Sequence, residues 1–190
     1  FIGLNKNGQA LPNQDGVYLG PGATHNEIGG NIPGYGNVIS GNAFDGITIT
    51  SGGTPADSNW VAGNYIGTDT TGMIAIANGR NGIYMIAGDG GTAAGNIIGD
   101  TTVGGRNIIS GNSAIGISIN DAVFTTQVIG NFIGTNVNGT AGLANGQPGV
   151  GISNASNNVI GGTTAAARNV IAGNTGYGIG LVLANFNKIL

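Results

Sequence analysis

The sequence predicts an all-β chain wound into a solenoid of short parallel strands, with about nine coils of roughly 18–26 residues and three coils in each larger repeat. Three observations predict it. A heptapeptide recurs, as "GNVISGN" at 36–42, "RNIISGN" at 106–112 and "RNVIAGN" at 168–174. Apolar, β-branched runs of three to five residues alternate with Gly, Asn or Asp along the chain. Glycine supplies 40 positions and asparagine 26, so turns are provided for throughout, and no stretch keeps the apolar spacing of a helix.

The heptapeptide is one marker of a larger unit. "NEIGG", "NIIGD" and "NVIGG" begin at Asn26, Asn96 and Asn158, each 11 residues before Asn37, Asn107 and Asn169. "GITI", "GISI" and "GIGL" place Ile47, Ile117 and Ile179 ten residues after those same asparagines. The block at 63–85 aligns without a gap to 130–152, and with a two-residue deletion to 1–19. The chain thus reads as one domain, 1–190, of three large repeats: 1–64, 65–131 and 132–190.

Within the repeat, Asn37, Asn59 and Asn81 are each 22 residues apart and Asn107 follows 26 on, which sets the coil length. A strand that returns after so few residues pairs with itself one coil later in the same direction. On this register Ile39, Val61 and Ile83 lie over one another, followed by Ile109 and Ile129, and the rod is about 43 Å long. Asparagine side chains at the bends, Asn42 with Asn64 and Asn112 with Asn131, are expected to hydrogen-bond from coil to coil. Asn37 and Asn107 come out three coils and about 14 Å apart.

Composition narrows the function. Charged residues make up 7% of the chain, against about a quarter in an ordinary domain, and the five Lys and Arg are scattered singly. No basic face exists to neutralise phosphates, so neither nucleic acid nor an anionic membrane surface is an expected partner. No apolar run approaches the roughly 18 residues of a membrane span, and membrane insertion is not expected. With no cysteine there are no disulfides or thiolate metal sites.

Polysaccharide chemistry would need carboxylates gathered on one face. The eight acidic residues are Asp15, Glu27, Asp45, Asp57, Asp69, Asp89, Asp100 and Asp121, none within four of another. A side chain needed for structure should recur between repeats and one needed for chemistry should be singular. Asp69 is matched by Asn5 and Asn136 and reads as a turn cap. Asp45 is matched by Ile115 and Tyr177, so it is singular but sits at a turn; Asp57 lies in the long loop 50–59. His25 is the only histidine, which rules out a two-His metal site or a His-based triad within this chain and leaves a loop residue. Arg106 and Arg168 occupy equivalent places, with Gly36 in the first repeat, and lack the singularity of a catalytic base; Lys6, Arg80 and Lys188 are isolated. Trp60 is a candidate platform for a sugar ring, at a position held by Gln127 and Lys188 in the sister repeats. No catalytic, cofactor-binding or metal-binding residue is assigned, and no cofactor is expected.

The repeated "NxIxGN…GIxI…NxIGG" motifs resemble the right-handed parallel β-helix repeats of the pectate-lyase-like superfamily. The "GNxIGTDxxG…A…N" block resembles arrays in large bacterial surface and secreted proteins. The resemblance covers essentially the whole chain and implies a right-handed helix of parallel strands, on a scaffold that carries lyases, hydrolases, adhesins, tailspikes and structural segments. The chain opens where the sister units carry "GN" and stops at "NKIL", which reads as a window of a longer array or as a subunit that stacks on copies of itself. The expected function is a structural segment of an extracellular or cell-surface rod, such as a stalk, sheath, fibre or adhesive surface protein, without catalysis. Its expected partners are further copies, end to end or side by side, or a cell-surface polysaccharide. The alternatives are a carbohydrate-binding module, or a polysaccharide lyase or glycosidase fragment.

Overall fold

The short β-branched runs become strands, and glycine and asparagine turn the chain between them. A computed structural model describes all residues, 1–190. The chain is an all-β parallel solenoid of about five turns, with about 33 residues per turn and three main sheets. The first sheet stacks Val17–Leu19, Ile47–Gly52, Ile83–Gly88, Ile117–Asn120, Val150–Ser153 and Ile179–Val182. The second stacks Glu27–Gly29, Trp60–Ala62, Ile97–Gly99, Gln127–Ile129, Val159–Ile160 and Lys188–Ile189. The third stacks Val38–Ile39, Tyr65–Ile66, Ile108–Ile109, Phe132–Ile133 and Val170–Ile171. A two-stranded sheet of Ala93–Ala94 and Val123–Phe124 and one 3-10 turn, Ala165–Ala167, complete the elements.

Every pairing between these strands is parallel. The antiparallel contacts are isolated bridges inside corner loops, Leu4 to Ala10, Thr68 to Ala75 and Thr135 to Gly142.

The expected stack of nine coils is therefore corrected to about five longer turns. Ile39, Val61 and Ile83 do not lie over one another: they belong to the third, second and first sheets respectively. Ile39 stacks on Ile66, which stacks on Ile109 and then Ile133; Val61 stacks between Ile28 and Ile98; Ile83 stacks between Ile47 and Ile117. Ile129 is in the second sheet, away from Ile109. The 22-residue spacing joined three different corners, because at these places one strand of each sheet follows an asparagine: Asn37 before Val38, Asn59 before Trp60 and Asn81 two residues before Ile83. At about 4.8 Å per turn the described rod is about 24 Å long, roughly half the expected length.

Each large repeat is two turns. In one, a long loop joins the second sheet to the third (residues 30–37, 100–107 and 161–169) and a tight bend follows the third strand. In the other the second-to-third corner is tight, as at Gly63-Asn64 and Gly130-Asn131, and the long loop follows the third strand, as at 67–82 and 134–149. Long loops thus overlie tight corners alternately. Gly63 shows the fit: its φ is +72°, and a Cβ there would strike the Gly30 carbonyl and lie 2.7 Å from that of Gly104.

One corner is the same in every turn. His25, Ser58, Gly95, Thr125, Asn157 and Phe186 each precede a second-sheet strand by two residues and all adopt positive φ between 56° and 62°. His25 is in a loop, as expected, and its backbone makes the left-handed bend there. A cluster of 22 buried residues fills the tube as one core, with Ile39, Ile47, Ile66, Ile83, Ile98 and Ile109 fully buried. Each such side chain contributes roughly 1.5–3 kcal/mol.

Candidate functional site

Asparagine columns at three corners take up half of the buried polar side chains. In the first, Asn26 bonds to Asn59 and Asn59 to Asn96. In the second, Asn37, Asn64, Asn107, Asn131 and Asn169 join in sequence, with Nδ2 to Oδ1 distances of 2.9–3.2 Å. In the third, Asn42, Asn78, Asn112, Asn145 and Asn174 do the same at 2.9 Å. Asparagine ladders are thus present, but the expected pairs are corrected: Asn42 and Asn64 belong to different ladders, as do Asn112 and Asn131. Asn37 and Asn107 are separated by the single rung of Asn64, about 10 Å, since they are two turns apart.

A fourth column precedes the first sheet and contains the least ordinary side chains. It runs Asp15, Asp45, Asn81, Ile115, Pro148, Tyr177, each two residues before a first-sheet strand. Its hydrogen bonds run opposite to the other ladders. The Asp45 N–H donates to Asp15 Oδ1 at 3.1 Å, Asn81 donates from both N–H and Nδ2 to Asp45 Oδ1 at 2.8 Å, and the Ile115 N–H donates to Asn81 Oδ1. An ionised carboxylate can only accept, so the Asp15 and Asp45 side chains receive these bonds. Beyond Asn81 the column turns apolar and the ladder ends.

Asp45 is buried, and burial pushes its carboxyl above the ordinary 3.8; the neighbouring Asp15 charge adds to this, against the two Asn81 donors and Arg80, which pull it down. Arg80 lies over the Phe44 ring, its Cζ 4.3 Å from the centroid. Tyr84 on the adjoining strand is also raised, by burial and then by the Asp45 and Asp121 charges. Asp15 and Asp45 are one turn apart, a pairing hidden in the sequence by the shorter coil length but visible once a spacing near 30 residues is sought.

The other singled-out residues go to loop architecture. Asp69 Oδ1 accepts from the Met73 and Ile74 N–H groups and Oδ2 from the Thr71 hydroxyl, while Asn5 and Asn136 cap their own loops in the same manner. Burial pushes Asp69 upward, but these donors outweigh it and hold the carboxyl below 3.8. Asp57 accepts from the Thr92 hydroxyl and the Ala94 N–H, tying its long loop to the next turn. Asp100 accepts from the Thr102 N–H, and Asp121 from Asn154. Trp60 is half-buried and its indole N–H donates to the Gly99 carbonyl at 2.9 Å, so the ring is tied down across the second sheet and is no free platform. Gln127 and Lys188 do share its column, two and four turns on. Arg106 lies over Phe132, Cζ 4.0 Å from the centroid, and its Nε donates to the Gly130 carbonyl; Arg168 is exposed.

No three His, Cys, Asp or Glu side chains come together to hold a metal ion, and no helix is long and apolar enough to cross a membrane. Two concavities mark the surface. One, about 560 Å³, lies on the outer face of the first sheet, where the outward column Tyr18, Thr48, Tyr84, Ser118, Gly151, Gly180 ends in two glycines. The other, about 370 Å³, lies over the third sheet between the loops of residues 33–36 and 103–106. No protein-family profile, curated protein or solved structure matches this chain.

Proposed function

We propose that this chain is a structural segment of an extracellular β-helical rod, right-handed in sense, with no catalysis of its own, and that it extends by stacking further turns of the same kind on its end. The observation that carries this reading is the use to which the polar side chains are put. Six of the eight carboxylates, Asp15, Asp45, Asp57, Asp69, Asp100 and Asp121, accept hydrogen bonds that hold ladders or loops, and the buried amides form columns parallel to the rod. The test is electron microscopy with sedimentation: rods much longer than about 24 Å, growing with protein concentration, are expected. A particle that stays a compact monomer at every concentration sinks the reading.

A second reading, glycan binding, is favoured by the concavity on the first sheet. Ser118, Asn120 and Ser153 offer hydroxyl and amide groups beside Gly151 and Gly180, and the exposed Tyr177 ring stands at its edge. Retention on a glycan array that is lost on Tyr177→Ala would favour this reading; no retention of the native chain would remove it.

A further inference from the structure

The repeat breaks its own rule at one point on the third sheet. Asn107 and Asn37 occupy equivalent places, their carbonyls accepting from the N–H groups of Phe132 and Tyr65 one turn on. The residue ahead of Asn107 is Arg106, whose guanidinium covers the Phe132 ring. The residue ahead of Asn37 is Gly36, so Tyr65 has no such cover. Beside Tyr65 opens the cleft of about 370 Å³.

Its lining is one-sided in chemistry. Tyr65, Pro33, Val103, Ile108 and Val137 make the apolar wall, and Arg106 is the one charged side chain. Arg106 uses Nε on the Gly130 carbonyl, while its two Nη groups have no partner within the fold. The N–H groups of Gly34, Gly36 and Gly104, which also line the cleft, donate to nothing in the protein. No carboxylate or amide side chain lines it. A fork of free guanidinium donors beside an uncovered aromatic ring suits an oxyanion carried on a flat apolar ring. A polyhydroxylated ring fits poorly, since the apolar wall would leave its hydroxyls without acceptors.

We propose that this cleft binds a small aromatic carboxylate, its ring against Tyr65 and its carboxylate on the Nη groups of Arg106. The site is independent of the rod assignment, because all of its lining residues, from Pro33 to Val137, lie within this chain.

The test is an amide-resolved NMR titration of the native chain with benzoate, benzamidine and acetate. Benzoate is expected to shift the Gly34, Gly36 and Gly104 signals saturably, with benzamidine and acetate having little effect. Arg106→Gln should weaken benzoate at least about tenfold, as loss of a charged hydrogen-bonding partner does, and Arg106→Lys should fall between. Arg168→Gln, the equivalent exposed position two turns away, should leave binding unchanged. Equal shifts with benzamidine would overturn the charge selection, and equal shifts with acetate would overturn the role of the ring. Loss in Arg168→Gln as large as in Arg106→Gln, or no saturable shift with benzoate, would overturn the site itself. Should Arg106→Gln fail to fold, the comparison of the three ligands on the native chain still decides.

Discussion

Thr126 stands one rung beyond Asn96, and the first asparagine ladder is broken between them. Ile97 pairs with Gln127, so the residues before them face each other across one turn. Asn59 donates from its N–H and Nδ2 to Asn96 Oδ1 at 2.8 and 3.0 Å, and the Thr126 N–H donates to Asn158 Oδ1 at 2.9 Å. Asn96 finds no acceptor at Thr126, whose buried hydroxyl is itself without a partner.

Thr126→Asn should close this gap. The new Oδ1 would accept from both Asn96 donors, and the new Nδ2 would reach Asn158 Oδ1. Two or more added bonds of about 1 kcal/mol each, with one orphaned hydroxyl removed, predict a gain of about 2 kcal/mol. For a domain of this size that is a rise in Tm of about 4–8 °C. An unchanged or lower midpoint would mean that the corner lacks room for the amide.

Asn64→Ala should do the opposite. Asn64 Nδ2 donates to the Ile28 and Ala62 carbonyls and to Asn107 Oδ1, and its Oδ1 accepts from the N–H and Nδ2 of Asn37. Removing the amide orphans groups on three successive turns, and a loss of about 3–5 kcal/mol is expected from denaturant unfolding. Asn64→Asp keeps the acceptor but sets a carboxylate against two carbonyl oxygens, so it should be no milder at neutral pH. A loss below about 1 kcal/mol in either variant would show that the ladder adds little beyond the sheets.

Two carboxylates should give stability opposite pH dependences. Asp45 titrates higher in the fold than in the unfolded chain, so the folded state binds the extra proton. Its contribution is fully present below pH 3.8 and is lost as pH rises through the folded value. Asp69 titrates lower in the fold, so its contribution is present above 3.8 and is lost as pH falls through the folded value. Asp45→Asn keeps the acceptor for Asn81 and adds a donor facing Asp15, so it should raise stability at pH 7 and flatten the decline above pH 4. Asp69→Asn, the residue its sister loops carry at Asn5 and Asn136, should flatten only the acid limb. Unfolding free energies measured between pH 3 and 8 separate the two; parallel curves for wild type and Asp45→Asn would refute the assignment.

Gly63→Ala should be costly at this tight corner. Its positive φ disfavours any Cβ, and the Gly30 and Gly104 carbonyls crowd the space that a methyl would need. A loss of about 2 kcal/mol or more is expected. Gly8→Ala, at a similar φ of +77° with nothing near its Cβ position, should lose only about 1 kcal/mol. Equal losses would show that strain alone, and not the stacked loops, governs Gly63.

The two-turn period was legible in the residues. Asp69 with Asn5 and Asn136, and Trp60 with Gln127 and Lys188, share loop roles or columns because a large repeat spans a whole number of turns. The single turn was not legible. Asn37, Asn59 and Asn81 precede strands of the third, second and first sheets, and each is followed within two residues by a Val or Ile. Nothing local tells three corners of one coil from one corner of three coils. The candidate surfaces suffered from the same ambiguity: the Asp15 and Asp45 pair, 30 positions apart, and the Tyr65 cleft, whose lining runs from Pro33 to Val137, join residues that only the correct register brings together.

An all-β, parallel, coiled chain laddered with asparagine could be read from the residues alone, because strand, turn and amide preferences are local and repeat along the chain. The number of residues in a turn, and the side chains that meet across turns, came only from the folded coil. That choice rests on long corner loops fitting over tight ones, a packing relation between turns that no single stretch of residues contains.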